Sequence, residues 1–197
     1  MTHAASPERA PTAPPPELRP AVAGLPLAAR APVSKLAADR WKPNTTVAAV
    51  IERDGRFLLV EEDTADGLRL NNPAGHLDPG EAPETACARE VLEETKHRFV
   101  PTALVGIYLS RFVKTNTGED VTYVRFAYTG ELGEQVPGAE FDEGIVRTVW
   151  MSYDEVLASR DRHRSPLLLA CIDDYRAGRR YPLELVATHE SVAGGKG

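Results

Sequence analysis

Cysteine is scarce in this chain: its 197 residues hold two, Cys87 and Cys171. Both sit in stretches that read as helix among apolar neighbours, so they are expected as small buried hydrophobes in a reducing compartment. No run approaches the ~20 consecutive apolar residues that a membrane span needs, and the first residues lack an apolar signal core preceded by basic residues. The expected location is the cytoplasm, with no membrane partner. An excess of positive charge is also missing, since Lys and Arg total 23 against 29 Asp and Glu, for a formal net charge of −6. That balance offers no broad footprint for DNA or RNA. A small phosphorylated ligand stays compatible with it, because a metal or a few local cations outweigh the overall sign.

Apolar periodicity is absent from Thr2 to about Ala38, a stretch dominated by Ala, Pro and Arg that includes Pro14-Pro15-Pro16. Residues 1–40 are therefore expected to be a disordered tail. The prolines also break the amphipathic helix that a transit peptide needs. One domain's worth of patterned chain follows, residues 41–187, and then a flexible tail over 188–197. Residues 45–51 and 56–62 are rich in Val, Ile, Leu and Phe and are joined through Asp54-Gly55, which predicts a hairpin. A polar loop with Asn71, Asn72 and Pro73 comes next, then a glycine-bearing loop from Gly75 to Gly80. Pro83 suits the first position of a helix that should end near Lys96. Alternation over residues 102–113 and 121–129, joined through Asn116-Thr117-Gly118, predicts a second hairpin. Residues 131–144 carry Gly133, Pro137 and Gly138 among five acids and read as a mobile loop before a strand ending at Trp150. Ser152 with Glu155 makes a capping box for a helix to about Ser159, and Ser165-Pro166 opens another closed by Gly178. Strands, helix, strands and helices in that order predict an α+β domain.

The chemistry is concentrated between Gly75 and Glu94. The chain there reads Gly75, five residues, Glu81, seven residues, then Arg89, Glu90, Val91, Leu92, Glu93 and Glu94. At about 100° per residue, Glu90, Glu93 and Glu94 crowd one face of the helix, with Ala88, Val91 and Leu92 expected to point elsewhere. Like-charged neighbours repel, and acids near a helix C-terminus oppose its dipole by ~0.3–1 kcal/mol. A cluster that repels itself in this way implies a divalent cation. All-oxygen donors favour a hard ion, Mg²⁺ or Mn²⁺, bridging carboxylates to substrate phosphates. Such an ion neutralises phosphate oxygens and lowers the pKa of a bound water, which suits hydrolysis.

This stretch resembles the Nudix box, G-x5-E-x7-R-E-U-x-E-E-x-G-U, with U a bulky aliphatic. The resemblance implies a Nudix fold of mixed β-sheets sandwiched with α-helices. It also implies Glu90, Glu93 and Glu94 as metal ligands, Glu90 as a candidate for activating water, and the Gly75 carbonyl as a further ligand. Arg89 then orients a box glutamate by a salt bridge, and Glu81 supports the junction of loop and helix. The chain departs from the pattern where Lys96 and His97 replace Gly and an aliphatic residue. The glycine serves as a left-handed cap, which costs a residue with a side chain ~1–2 kcal/mol, so the helix end is the feature in question. His97 reads as a surface residue.

Three flanking stretches resemble the phosphatase NudJ branch of that superfamily. They are Trp41 to Val47, Asn72-Pro73-Ala74-Gly75-His76-Leu77, and Arg164-Ser165-Pro166-Leu167 with Tyr175 to Leu185. The branch implies a monomer that acts on nucleoside tri- and diphosphates with release of orthophosphate, and on hydroxymethylpyrimidine pyrophosphate. Tyr123, Phe126 and Tyr128 are candidates for stacking on a heterocycle. Arg125 is expected on the opposite sheet face from Phe126, as a solvated strand charge. Glu140, Asp142 and Glu143 are candidates for an acid beyond the box, and Trp150 reads as packing. Two other functions compete: an ADP-ribose or nucleotide-sugar pyrophosphatase, and a Nudix-like domain that senses a nucleotide without cleaving it. The second usually loses box carboxylates, and here all three are kept.

Overall fold

The computed structural model describes residues 41–113 and 118–192. All the strands and helices described lie between residues 42 and 192. The expected N-terminal tail, the turn at 114–117 and residues 193–197 fall outside the described residues. Of the expected C-terminal tail, residues 188–192 are described and hold a turn in which the Val192 N–H donates to the His189 carbonyl at 3.0 Å.

Among the described residues, eight strands and three α-helices make an α+β fold: β1 (Asn44–Ala49), β2 (Glu52–Arg53), β3 (Arg56–Thr64), β4 (Gly67–Asn71), β5 (Ala74–His76), α1 (Pro83–Thr95), β6 (His97–Val113), β7 (Asp120–Gln135), β8 (Ile145–Ser152), α2 (Tyr153–Ala158) and α3 (Leu167–Arg176). One sheet has the order β5-β1-β7-β6, with β1 and β7 parallel and the other pairs antiparallel. The second is built on β3, which pairs antiparallel with β2, β4 and β8. The predicted first hairpin is corrected: only the short β2 pairs with β3, through a turn at Asp54 and Gly55 with φ of 54° and 75°, values that Asp tolerates and Gly favours, whereas β1 crosses to the other sheet and pairs with β5 and β7.

Two apolar clusters cover opposite faces of the first sheet. Val47, Ala49 and Tyr128 pack with Ala86, Cys87 and Val91 of α1, whereas Val50, Val105 and Ala127 pack with Leu168, Cys171 and Ile172 of α3. Both free cysteines are buried in these clusters, as their neighbours suggested. The double cover explains why β1 is buried from Thr46 onward without alternation. Among the described residues no helix is long and apolar enough to cross a membrane.

The expected mobile loop at 131–144 is corrected. β7 continues to Gln135 because β6 starts at His97, directly after α1, and supplies a partner, with His97 opposite Gln135 and Phe99 opposite Leu132. Leu132 packs against the α1 cluster. The remaining turn docks on the end of α1, where Val136 N–H meets the Lys96 carbonyl at 2.7 Å and Asp142 N–H meets the Glu93 carbonyl at 3.0 Å. Trp150 is structural: it packs on the α1 cluster and its carbonyl accepts from Arg56 Nη1 at 3.1 Å.

Candidate active site

Helix α1 buries Pro83, Ala86, Cys87, Glu90, Val91, Glu94 and Thr95, a stripe with helical spacing that is apolar at its start and acidic further on. Glu90 and Glu94 therefore sit on the inward face, 7% and 6% exposed. Val91, also buried, packs in the apolar cluster with Ala86 and Cys87, and Glu93 stands at the stripe's open side. Gly75 lies in the middle of β5 opposite Val47. A Cβ built on it would overlap the Glu90 carboxylate, so the missing side chain is what lets helix and strand approach.

Arg89 ties the acids together. Its Nε and Nη2 donate to the two Glu81 oxygens at 3.1 and 2.6 Å, and Nη2 also donates to the His76 carbonyl at 3.0 Å. Its Nη1 reaches Glu90 at 2.8 Å and Glu93 at 3.0 Å. Glu81 accepts from the Asp78 N–H at 2.8 Å, fixing the loop before α1. The Arg89 bond and, less strongly, that N–H hold the Glu81 carboxyl below its ordinary pKa against burial. Glu90 behaves oppositely, because burial pushes its carboxyl up despite Arg89. Glu94 goes further. Burial pushes it up to about 9, with added repulsion from Glu62, Glu90 and Asp142, although its Oε2 accepts from the Ala74 N–H at 2.8 Å.

The Lys96 departure is accommodated. Lys96 adopts φ 64° and ψ 13°, the left-handed cap geometry, and its N–H closes on the Leu92 carbonyl at 2.9 Å. Its ammonium lies 3.6 Å from the centre of the Phe141 ring, a contact of ~0.5–2 kcal/mol that offsets backbone strain of similar size. His97 turns back to the Thr95 carbonyl, with Nδ1 at 2.7 Å.

Ala74, Gly75, His76 and Glu94 open into a cavity of about 330 Å³ that is also lined by Thr46, Glu62, Asn71, Phe112, Tyr123 and Arg125. The Phe112 and Tyr123 rings stack at 5.8 Å with 8° between planes. Of the three stacking candidates, Tyr123 faces this cavity, whereas Tyr128 is fully buried and Phe126 packs against the α1 cluster. Arg125 is 7% exposed, which overturns its reading as a solvated charge. Among the late acids, the charge of Asp142 raises Glu90 and Glu94, and Glu143 lines the cavity. Arg164, Ser165 and Leu167 also line it. Sequence reasoning did not single out Glu62, Asn71, Phe112 or Thr46; the run Asn71-Asn72-Pro73 was the available signal for Asn71.

Residues 41–170 match the model of the NUDIX domain. The chain belongs to the Nudix family. It is 37% identical over 147 residues to phosphatase NudJ from Escherichia coli K12, covering 74% of this chain and 92% of the relative. A solved Nudix hydrolase from Nitrosomonas europaea matches with a TM-score of 0.69 and 49% identity, over 75% of this chain and 98% of that one. A MutT Nudix hydrolase from Burkholderia pseudomallei, at TM-score 0.55 and 20% identity over 68% and 98%, shares the fold. These similarities make the chain a Nudix hydrolase of the NudJ-like branch, an enzyme that hydrolyses pyrophosphate linkages in small molecules.

The donor set suits the divalent cation that Nudix hydrolases generally use. Its oxygens are hard, Gly75 leaves room at Glu90, and the buried Glu94 faces further negative charge. Among the described residues no three acidic, histidine or cysteine side chains surround a common point, because Arg89 draws Glu90 and Glu93 while Glu94 holds Ala74. An ion drawing on Glu90 and Glu93 would therefore compete with Arg89.

Proposed function

We propose that this Nudix hydrolase is a Mg²⁺-dependent phosphatase, with Mn²⁺ as a substitute, acting on nucleoside tri- and diphosphates and on pyrophosphates like that of hydroxymethylpyrimidine, with release of orthophosphate. The observation that carries the reading is the single cavity shared by Glu94, Gly75 and the Phe112–Tyr123 pair, which offers a phosphate end and a flat aromatic end. Glu90, Glu93, Glu94 and the Gly75 carbonyl are the residues to hold the ion. When bound, the ion supplies charge neutralisation at the phosphates and an acidified water. Arg89 positions Glu90 and Glu93, and Glu81 holds Arg89 in place. Glu90, desolvated beside the cavity, is the candidate to take the proton from water. Asp142 is the candidate acid from beyond the box. The buried free cysteines support a cytoplasmic setting, and the branch supports a monomer.

The test is a product assay with Mg²⁺ and with Mn²⁺ across nucleoside tri- and diphosphates, ADP-ribose and hydroxymethylpyrimidine pyrophosphate, separating orthophosphate, pyrophosphate and monophosphate. Orthophosphate from the first and last classes is the expected result. Turnover of ADP-ribose alone would replace this reading with an ADP-ribose pyrophosphatase, and binding without turnover of any compound would favour a nucleotide sensor.

A further inference from the structure

The cavity floor contains a cation that the chemistry above does not use. Arg125 pairs with Thr46 on one side and Tyr108 on the other, and Thr46 pairs with His76, so these four side chains form one row across β5, β1, β7 and β6. Tyr108 leans away along its own strand over Gly106, where a Cβ would meet its hydroxyl at 2.8 Å, and donates to Asp174 at 3.1 Å. Arg125 is left beneath α3, close enough to Cys171 for its charge to oppose the effect of burial on that thiol. Nε and Nη1 of Arg125 are buried without a hydrogen-bond partner. A guanidinium cannot escape this position by losing its proton, so these two nitrogens are donors that an acceptor on a ligand would satisfy, while the same side chain also bonds Cys171. On the facing sheet, Asn71 Nδ2 donates to Glu62 at 2.9 Å, which leaves its buried Oδ1 as an acceptor without a partner.

Position indicates which part of a ligand comes here. Two strand spacings, about 10 Å, separate β7 from β5, where Gly75 and Ala74 meet the carboxylates. A phosphate end placed beside those carboxylates through a shared cation would leave the heterocycle on the Phe112–Tyr123 pair, and Tyr123 stands two residues from Arg125 on the same face. We infer that Arg125 and Asn71 select the heterocycle by its hydrogen-bonding edge, as a donor and an acceptor complementary to a carbonyl beside a ring N–H, the edge of guanine and uracil. Adenine and cytosine present the inverse edge, an amino group beside a bare ring nitrogen, which sets donor against donor at Arg125. This rests on the reading of the substrate as a nucleotide.

The experiment compares wild type, Arg125→Met and Arg125→Lys in two measurements: kcat and KM for GTP against ATP and UTP against CTP, and calorimetric binding of GMP against AMP. Wild type is expected to favour the carbonyl member of each pair by roughly tenfold to a hundredfold. Both variants are expected to bring that ratio close to one, mainly through KM and Kd. A ratio near one in wild type, or one unchanged in the variants, overturns the inference. Equal losses for every substrate, inorganic pyrophosphate included, assign Arg125 to phosphate and overturn it too. If Arg125→Met fails to fold, the wild-type ratio and Arg125→Lys decide. If wild type cleaves no nucleotide, the proposed function fails, and the GMP and AMP affinities still decide the role of Arg125.

Discussion

Glu61 and Glu94 are buried to nearly the same degree, 3% and 6% exposed, yet their carboxyls are displaced in opposite directions. Glu61, in β3, accepts from Arg147 at 2.7 Å and also pairs with Arg162, and these bonds hold it below its ordinary pKa despite burial. Glu94, in α1, has a backbone N–H and three acidic neighbours, and burial drives it up to about 9. Burial alone is therefore a poor guide to the use of a glutamate. One acid is saturated and serves the fold, whereas the other is held short of positive charge, a condition that a divalent ion relieves.

The sharpest way to break this contrast is to remove each carboxylate. Glu94→Gln is expected to lower kcat more than about a hundredfold while thermal stability stays level or rises, because a strained acid is replaced by a neutral isostere; near-normal kcat would contradict the metal role. Glu61→Gln is expected to do the reverse, lowering stability in urea by about 1–2 kcal/mol with kcat nearly unchanged, a modest figure because both arginines are substantially exposed. Gly75→Ala separates space from charge: its methyl collides with the Glu90 carboxylate, so activity should fall strongly while circular dichroism stays native.

pH provides a gentler comparison. The folded state raises the Glu94 pKa above its unfolded value, so it binds more protons than the unfolded chain between them. Its contribution is fully present below the unfolded pKa of ~4.3 and lost as pH rises through about 9, so the metal-free melting temperature should decline across that window. Saturating Mg²⁺ should flatten the decline, and calorimetry in buffers of different ionisation enthalpy should register proton release on binding at pH 7–8. Glu61 has the opposite sign, its stabilisation being present above the unfolded pKa and lost as pH falls through the lowered one. The smallest effect is expected for Lys96→Gly, within about 1 kcal/mol either way, since relief at positive φ and loss of the Phe141 contact nearly cancel.

Much of the site was legible before the fold. Arg89, Glu90, Glu93 and Glu94 lie within two turns of one helix, so local geometry alone sets their mutual reach, and the structure adds the Glu81 and His76 ends of the Arg89 network. Arg125 was misread for a definite reason. Its alternation with Phe126 separates two faces correctly, but the face away from α1 is covered by α3 and is not open to solvent. The strand at 131–135 was missed for a similar reason, because its glycine and acids are offset by a partner strand that starts directly after α1.

By itself the sequence determined what depends on neighbours along the chain: the first hairpin turn, the start of α1, the capping box at Ser152 and the spacing of the acids. Only the tertiary structure decided which charges meet. It brought Glu62, Asn71, Phe112, Tyr123 and Arg125 from two sheets to one cavity, and it gave Glu61 two arginines but Glu94 none. The reason is that electrostatic and desolvation energies depend on distance and burial in space, which a one-dimensional pattern encodes only within a helical turn or across a short hairpin.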